Sequence, residues 1–205
     1  MNKKIFFWAP LLGHVGTINA VLHSAISLKQ YGNADVYVLD SFGQLCKFNS
    51  AYPSINFIKI FNLNDFLPKT GILSKISIYF FSILSIPIFL KLMRKYEPDF
   101  LIVNLVGVIP LILKPFLKKN CKIINSIQGY PKLNYFRKIL WKWLYRKSNL
   151  LITMSNLTRT YIINQININE KKIVKINNPI ISRQIRLQSK EKISKDVELL
   201  MNNNF

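Results

Sequence analysis

Apolar residues in this chain form short continuous runs that alternate with longer stretches at helical spacing. Ile5–Ala9 (IFFWA) is a continuous run of strand-forming residues, closed by Pro10. Leu11–Gly16 (LLGHVG) follows as a glycine-bearing turn. From Thr17 to Tyr31, Ile18, Val21, Leu22, Ala25, Ile26 and Leu28 recur at the three- and four-residue intervals of one helix face. Tyr31-Gly32-Asn33 has the composition of a helix C-cap. Asp35–Asp40 (DVYVLD) reads as a second strand ending in an acid. Strand, glycine loop, helix and strand together make a βαβ pattern.

The alternation continues along the chain. Ile55–Ile60 reads as a third strand, and a long helical region runs from about Ser74 to Tyr96. Asp99–Asn104 (DFLIVN) is a buried-type strand. Val108–Leu117 is a short helix kinked around Pro110 and Pro115. Lys122–Ile127 is a strand leading into the loop Gln128-Gly129-Tyr130-Pro131. Helix Leu133–Lys147, strand Leu150–Met154, helix Asn156–Gln165 and strand Lys172–Ile176 complete the series, which Asn177-Asn178-Pro179 breaks. Most of these strands are apolar on both faces, the mark of a parallel sheet covered on both sides. The fold expected is α/β: a Rossmann-like, doubly wound, mostly parallel sheet of six or seven strands with helices on both faces. It spans residues 1–181. Residues 182–205 form a polar, charged segment that reads as a helical tail or linker.

Composition adds one feature. Half of the 205 residues are hydrophobic, enough for a full core, yet only 19% are charged and the formal net charge is +20. The imbalance reflects missing acids. Two explanations stand side by side: attraction to an anionic partner, lipid or nucleic acid, or a general preference for Lys, Asn and Ile. The two cysteines, Cys46 and Cys121, lie far apart with no Cys/His spacing around them, so no metal site is expected. The basic start MNKKIFFWAPLLGH carries only a short apolar run and no small-residue cleavage site. A cytoplasmic protein follows, able to lie on the inner face of the cell membrane.

Candidate binding residues fall where a doubly wound sheet binds ligands, in the loops after its strands. Gly13, His14 and Gly16 lie in the loop after the first strand, where a helix N-terminus favours an anion. The same residues also suit a plain tight turn. The spacing is not GxGxxG, so a dinucleotide fingerprint is absent. Gln128, Gly129 and Tyr130 follow a later strand. A Gln amide can hold sugar hydroxyls but cannot act as a base, and Gly and Pro also account for the loop as a turn. His23, inside the first helix, reads as structural. Asp40 suits either a ribose-like contact or a turn cap. No GxSxG, HExxH or Walker sequence is present.

Two segments bear on membranes. In Leu133–Lys147, Leu133, Phe136, Ile139, Leu140, Trp143 and Leu144 share one arc, which is expected to face the sheet. Arg137, Lys138, Lys142 and Arg146 share the other, with Trp141 and Tyr145 among them. Arg137, Lys138, Trp141, Lys142 and Tyr145 are therefore the expected membrane contacts. Such a face also suits single-stranded nucleic acid, or simply a solvated basic surface. Between Lys75 and Lys91 lies a 15-residue apolar stretch, ISIYFFSILSIPIFL. It is shorter than a span of about 20 residues and suits a core or interfacial segment.

Taken together, these elements resemble the N-terminal domain of GT-B glycosyltransferases of the family 4 type. Four places carry the resemblance: the Pro10–Gly16 loop with the following helix and Gly32 turn; Glu97-Pro98-Asp99-Phe100-Leu101-Ile102 entering a strand; Ile123–Pro131; and Leu150–Asn156 (LLITMSN) with Lys172–Ile180 (KIVKINNPI). The resemblance covers about residues 3–181. Gly13 matches the family's first loop glycine, His14 stands at its second, and Gln128 stands where many members carry histidine.

The resemblance implies one half of a metal-independent transferase, with no cofactor beyond a nucleotide-sugar substrate. Such an enzyme moves a sugar from that donor to a lipid-linked or saccharide acceptor, often for cell-surface polysaccharide. This half mainly binds acceptor. The donor-binding Lys or Arg and the Glu-x7-Glu pair belong to a second domain, expected after Phe205 or on a separately encoded partner. Alone, this half is expected to be inactive, and whether it is itself an enzyme stays open. A non-catalytic scaffold or recruiting subunit on an anionic membrane surface is the alternative. Nucleic acid is not an expected partner, since RNP, KH and helix-turn-helix signatures are absent.

Overall fold

The computed structural model describes residues 2–11, 16–63, 65–104, 107–118, 120–131 and 134–179. Seven strands build one sheet: β1 (Lys3–Trp8), β2 (Ala34–Asp40), β3 (Asn56–Lys59), β4 (Phe100–Val103), β5 (Lys122–Ile127), β6 (Leu150–Thr153) and β7 (Ile173–Lys175). Their order is β3-β2-β1-β4-β5-β6-β7, and every neighbouring pair is parallel. Six helices connect them: α1 (Gly16–Tyr31), α2 (Gly71–Leu84), α3 (Ile86–Tyr96), α4 (Val108–Ile112), α5 (Tyr135–Lys147) and α6 (Asn156–Ile166). The chain starts at β1, winds out to β3, returns past β1 to β4 and winds the other way. The direction reverses between β1 and β4, and ligands of open parallel sheets bind at the carboxyl ends of such a pair.

Side chains alternate across the sheet, so two cores form. Phe6, Trp8, Leu101, Val103, Ile123 and Leu151 point to one face, where Phe89 and Met93 of α3, Leu144 of α5 and Ile162 of α6 meet them. Ile5, Phe7, Val36 and Val38 point to the other, where Val21, Leu22 and Ala25 of α1 cover them. Of the residues that the first helix's spacing singles out, α1 buries Ile18, Val21, Leu22 and Ala25, while Ile26 and Leu28 are partly buried against the same core. Its end is also legible: a Cβ on Gly32 would lie 2.7 Å from the Leu28 carbonyl oxygen, and Asn33 takes a positive φ of 43°.

The acid of Glu97-Pro98-Asp99 has a structural use. The Asp99 carboxylate accepts from the Lys4 N–H (2.9 Å), and the Asp99 N–H donates to the Lys4 carbonyl (3.0 Å). The pair sets β1 and β4 in register at their start.

Two expectations need correction. The helical region near Ser74–Tyr96 is two helices that bend by 52° at Ser85, with Pro87 in the first turn of α3. Proline fits there because a first-turn N–H has no intrahelical partner. Of the apolar arc of α5, only Leu144 is buried among the described residues. The helix's buried side is Leu144 and Tyr145 with half-buried Trp141 beside them, whereas Phe136, Ile139, Leu140 and Trp143 are exposed. Trp141 stacks on Tyr145 at 4.8 Å. Burial pushes the Tyr145 hydroxyl pKa up. Tyr145, 4% exposed, is therefore not a surface contact. Large amphipathic aromatics pack as well as aliphatics, so Tyr145 and Trp141 fill the inner side of α5 beside Leu144.

Candidate functional site

The carboxyl ends of β4 and β5 carry a cluster of amides and hydroxyls. Asn104 follows β4, and its N–H donates to the Trp8 carbonyl at 3.0 Å, which fixes it beside the end of β1. Asn125 and Ser126 lie on β5, and Gln128 follows it. The Gln128 Nε2 donates to the Ser126 Oγ at 2.8 Å and to the Asn104 Oδ1 at 3.4 Å. The Asn104 Nδ2 is buried, and among the described residues it has no hydrogen-bond partner. A buried amide donor left open costs stability unless something else accepts from it. Gly107 permits the close packing here, because a Cβ at that position would lie 3.0 Å from Asn125 Nδ2.

A groove of about 400 Å³ opens from this cluster along the sheet face. Asn104, Ser126 and Gln128 form its polar end. Ile102, Ile124 and Ile152 form its floor, and Ser24, Ser27 and Leu28 of α1 form one wall. Asn177, Asn178 and Pro179 lie along the rim. The rim is tied down by the Ile176 N–H, which donates to the Thr153 carbonyl (2.9 Å), and by a 3.1 Å contact between His23 Nδ1 and the Pro179 carbonyl. His23 thus has a structural contact, far along the chain from its own helix. Such a groove can hold a ligand with hydroxyls at one end and apolar surface along its length. Amides and hydroxyls exchange hydrogen bonds with sugar hydroxyls, but they do not take up protons near neutral pH.

The other sequence-derived residues fall as follows. Gly13 and His14 lie outside the described residues. Gly16 opens α1 with free space around its Cβ position, as does Gly129. The Tyr130 ring lies 4.3 Å from that of Tyr161 of α6, tilted by 35°, and stays half exposed. Arg137 and Lys138 are exposed, and Lys138 Nζ donates to Gln165 Oε1 of α6 at 3.3 Å. Lys142 is half-buried. Asn104, Ser126 and Gly107 were not singled out as site residues. A polar residue ending the apolar run of β4 was the available signal.

Asp40 is a turn cap. It is buried at the end of β2, and its carboxylate accepts from the N–H groups of Phe42 (3.2 Å), Gly43 (2.9 Å) and Cys46 (2.7 Å). Gly43 takes a φ of +88°, which the tight turn requires.

Burial, with Asp40 adding to it, pushes the Cys46 thiol up to about 12, and burial pushes Cys121 to about 11, from an ordinary 9.0. Both thiols therefore stay protonated in the folded chain. An aromatic disulfide reagent at pH 8 should label the native chain far more slowly than the urea-unfolded chain, since thiolate is the nucleophile. Protonated thiols favour the folded state fully below pH 9. That contribution fades as pH rises toward 11 and 12. Equal labelling of folded and unfolded chain would contradict it.

The strand order and the helices between the strands define a Rossmann-like α/β domain. Solved structures agree in fold. A glycosyltransferase from Rickettsia africae superposes with a TM-score of 0.67 at 17% identity, over 98% of this chain and 49% of that one. The UDP-N-acetylglucosamine 2-epimerase of Rickettsia bellii gives 0.64 at 13%, over 97% and 52%. HepE of Anabaena, solved with UDP, gives 0.58 at 14%, over 99% and 50%. The chain thus spans about half the length of each. No family model and no curated protein matches the sequence.

Proposed function

We propose that this chain is the acceptor-side half of a family 4-like glycosyltransferase. It serves transfer of a sugar from a nucleotide-sugar to a lipid-linked or saccharide acceptor in cell-surface polysaccharide synthesis. The work is done at the cytoplasmic face of an anionic membrane. A second Rossmann-like domain, in the same polypeptide or separately encoded, supplies the donor contacts. The observation that carries this reading is the Asn104–Ser126–Gln128 cluster, with its open Asn104 donor, at the ends of β4 and β5 beside the switch point of this sheet.

In this reading Gln128 and Asn104 hold acceptor hydroxyls, and the apolar floor accepts the acceptor's less polar part. Neither amide moves a proton. Their role is to fix the acceptor before a donor arrives, which converts a bimolecular encounter into a positioned one. A non-catalytic recruiting subunit is the second reading, favoured by the outward apolar face of α2 described below.

The test is binding of labelled oligosaccharides to the full chain, with Gln128→Ala beside the wild type. One lost hydrogen bond, with Asn104 left short of a partner, should weaken binding about tenfold. UDP-glucose with the chain alone should give no transfer. Glycan binding unchanged in Gln128→Ala, or steady transfer by the chain alone, would each count against the proposal.

A further inference from the structure

α2 is turned inside out for a soluble helix. Ser74 and Ser82 are buried, and the Ser85 Oγ that follows donates to the Ser82 carbonyl at 2.7 Å. Phe81 anchors the inner side, edge-on to Phe42 (6.4 Å) and Phe61 (5.8 Å). Ile72, Leu73, Ile76, Tyr79, Phe80 and Ile83 face outward, each at least 55% exposed. Polar-in and apolar-out is the reverse of a helix made for water. It marks a surface made to be covered.

The surface continues past α2. Tyr79 and Ile83 share a groove of about 270 Å³ with Ile86 of α3 and Val108, Ile109 and Ile112 of α4. Its accessible lining is wholly apolar. Ile88 of α3 and Ile112 are themselves exposed.

Charge indicates what covers it. None of the six helices contains Asp or Glu. Lys75 lies within α2, and Lys91, Arg94 and Lys95 follow on α3. The acids flanking α2 and α3 in sequence are each paired with a lysine: Asp65 with Lys47 at 3.3 Å and Glu97 with Lys118 at 2.7 Å. An apolar strip on helices that carry cations and no acids complements a plane with an apolar interior and an anionic skin. Among the described residues no single helix is long and apolar enough to cross a membrane. The 14 residues of α2 rise only about 21 Å, short of a hydrocarbon core of about 30 Å. α3 is held by Phe89 and Met93 in the core. α2 can therefore lie in the interface but not span it.

We propose that the outward face of α2 and the α2–α4 groove embed in the headgroup and upper acyl region of an anionic bilayer. This rests on the membrane-bound reading above and names its surface. It differs from the face the α5 cations suggest.

The experiment is co-sedimentation of the full chain with phosphatidylglycerol-containing vesicles and with pure phosphatidylcholine. The variant carries Ile76→Glu, Phe80→Glu and Ile83→Glu together. All three positions are exposed, and matching circular dichroism and thermal unfolding establish that the variant folds. Wild type should bind the anionic vesicles, with binding reduced but retained in high salt. The triple variant should partition about 100-fold or more weakly, having lost three apolar side chains and gained three like charges against the lipid. If wild type binds no vesicle, the membrane reading fails with the surface. If wild type and variant bind alike, only the surface fails. A wild-type dimer in light scattering that the variant breaks, without lipid binding, would make the face a self-interface and overturn the proposal.

Discussion

Asp40→Ala should cost about 3–5 kcal/mol of folding stability, read as a shift of the urea midpoint. Three backbone N–H groups converge on this one buried carboxylate, at 2.7, 2.9 and 3.2 Å. Hydrogen bonds to a charged group contribute about 1.5–3 kcal/mol each, and removing the acceptor leaves the donors short of partners. Water entering the vacated space recovers part of the loss, so the total falls below the sum. Asp40→Asn should cost roughly half as much. It keeps one oxygen for two of the donors but turns an amide N–H toward another. The result bears on function as well as stability. An acid at the end of a second strand in this kind of fold is open to a ribose contact. A loss under about 1 kcal/mol for Asp40→Ala would mean the carboxylate is not needed by the turn, and a ligand role would then have to be reconsidered.

Phe89→Ala should cost about 3–5 kcal/mol, while Phe80→Ala should change stability by less than about 0.5 kcal/mol. The two phenylalanines are of equal size and lie on consecutive helices. Phe89 is fully buried, edge-on to Trp8 with ring centroids 5.1 Å apart, and it pins α3 to β1. Its truncation leaves a cavity beneath β1. Phe80 points outward from α2 and is 55% exposed. Its value should appear instead in vesicle binding. Similar losses for the two would mean α2 is packed inward in solution, and its outward face would then carry no claim on lipid.

The strands of this sheet were legible because parallel strands covered on both faces are apolar at most positions, and helix spacing separates them. The Gly32 turn was legible because only glycine tolerates the Leu28 carbonyl at that distance. Where the loops after the strands gather was legible too, since in a parallel sheet every such loop lies at the same edge. The membership of the candidate site was not. Gln128 was visible as a loop amide. Asn104 became part of the site only when β4 and β5 paired and brought residues 24 positions apart within reach.

Facing is where the sequence alone stopped. The sequence determined that α5 has two arcs and that the stretch from Ile76 to Leu90 is apolar. It did not determine which arc each helix would bury. Apolar side chains gain similar free energy against a protein core or against lipid, so periodicity cannot tell the two surroundings apart. The choice was made by shape. Leu144 and Tyr145 fit the sheet beneath α5, and Phe81 fits between Phe42 and Phe61. Those contacts form only once distant strands have assembled. The apolar arcs left outside are a property of the tertiary structure alone.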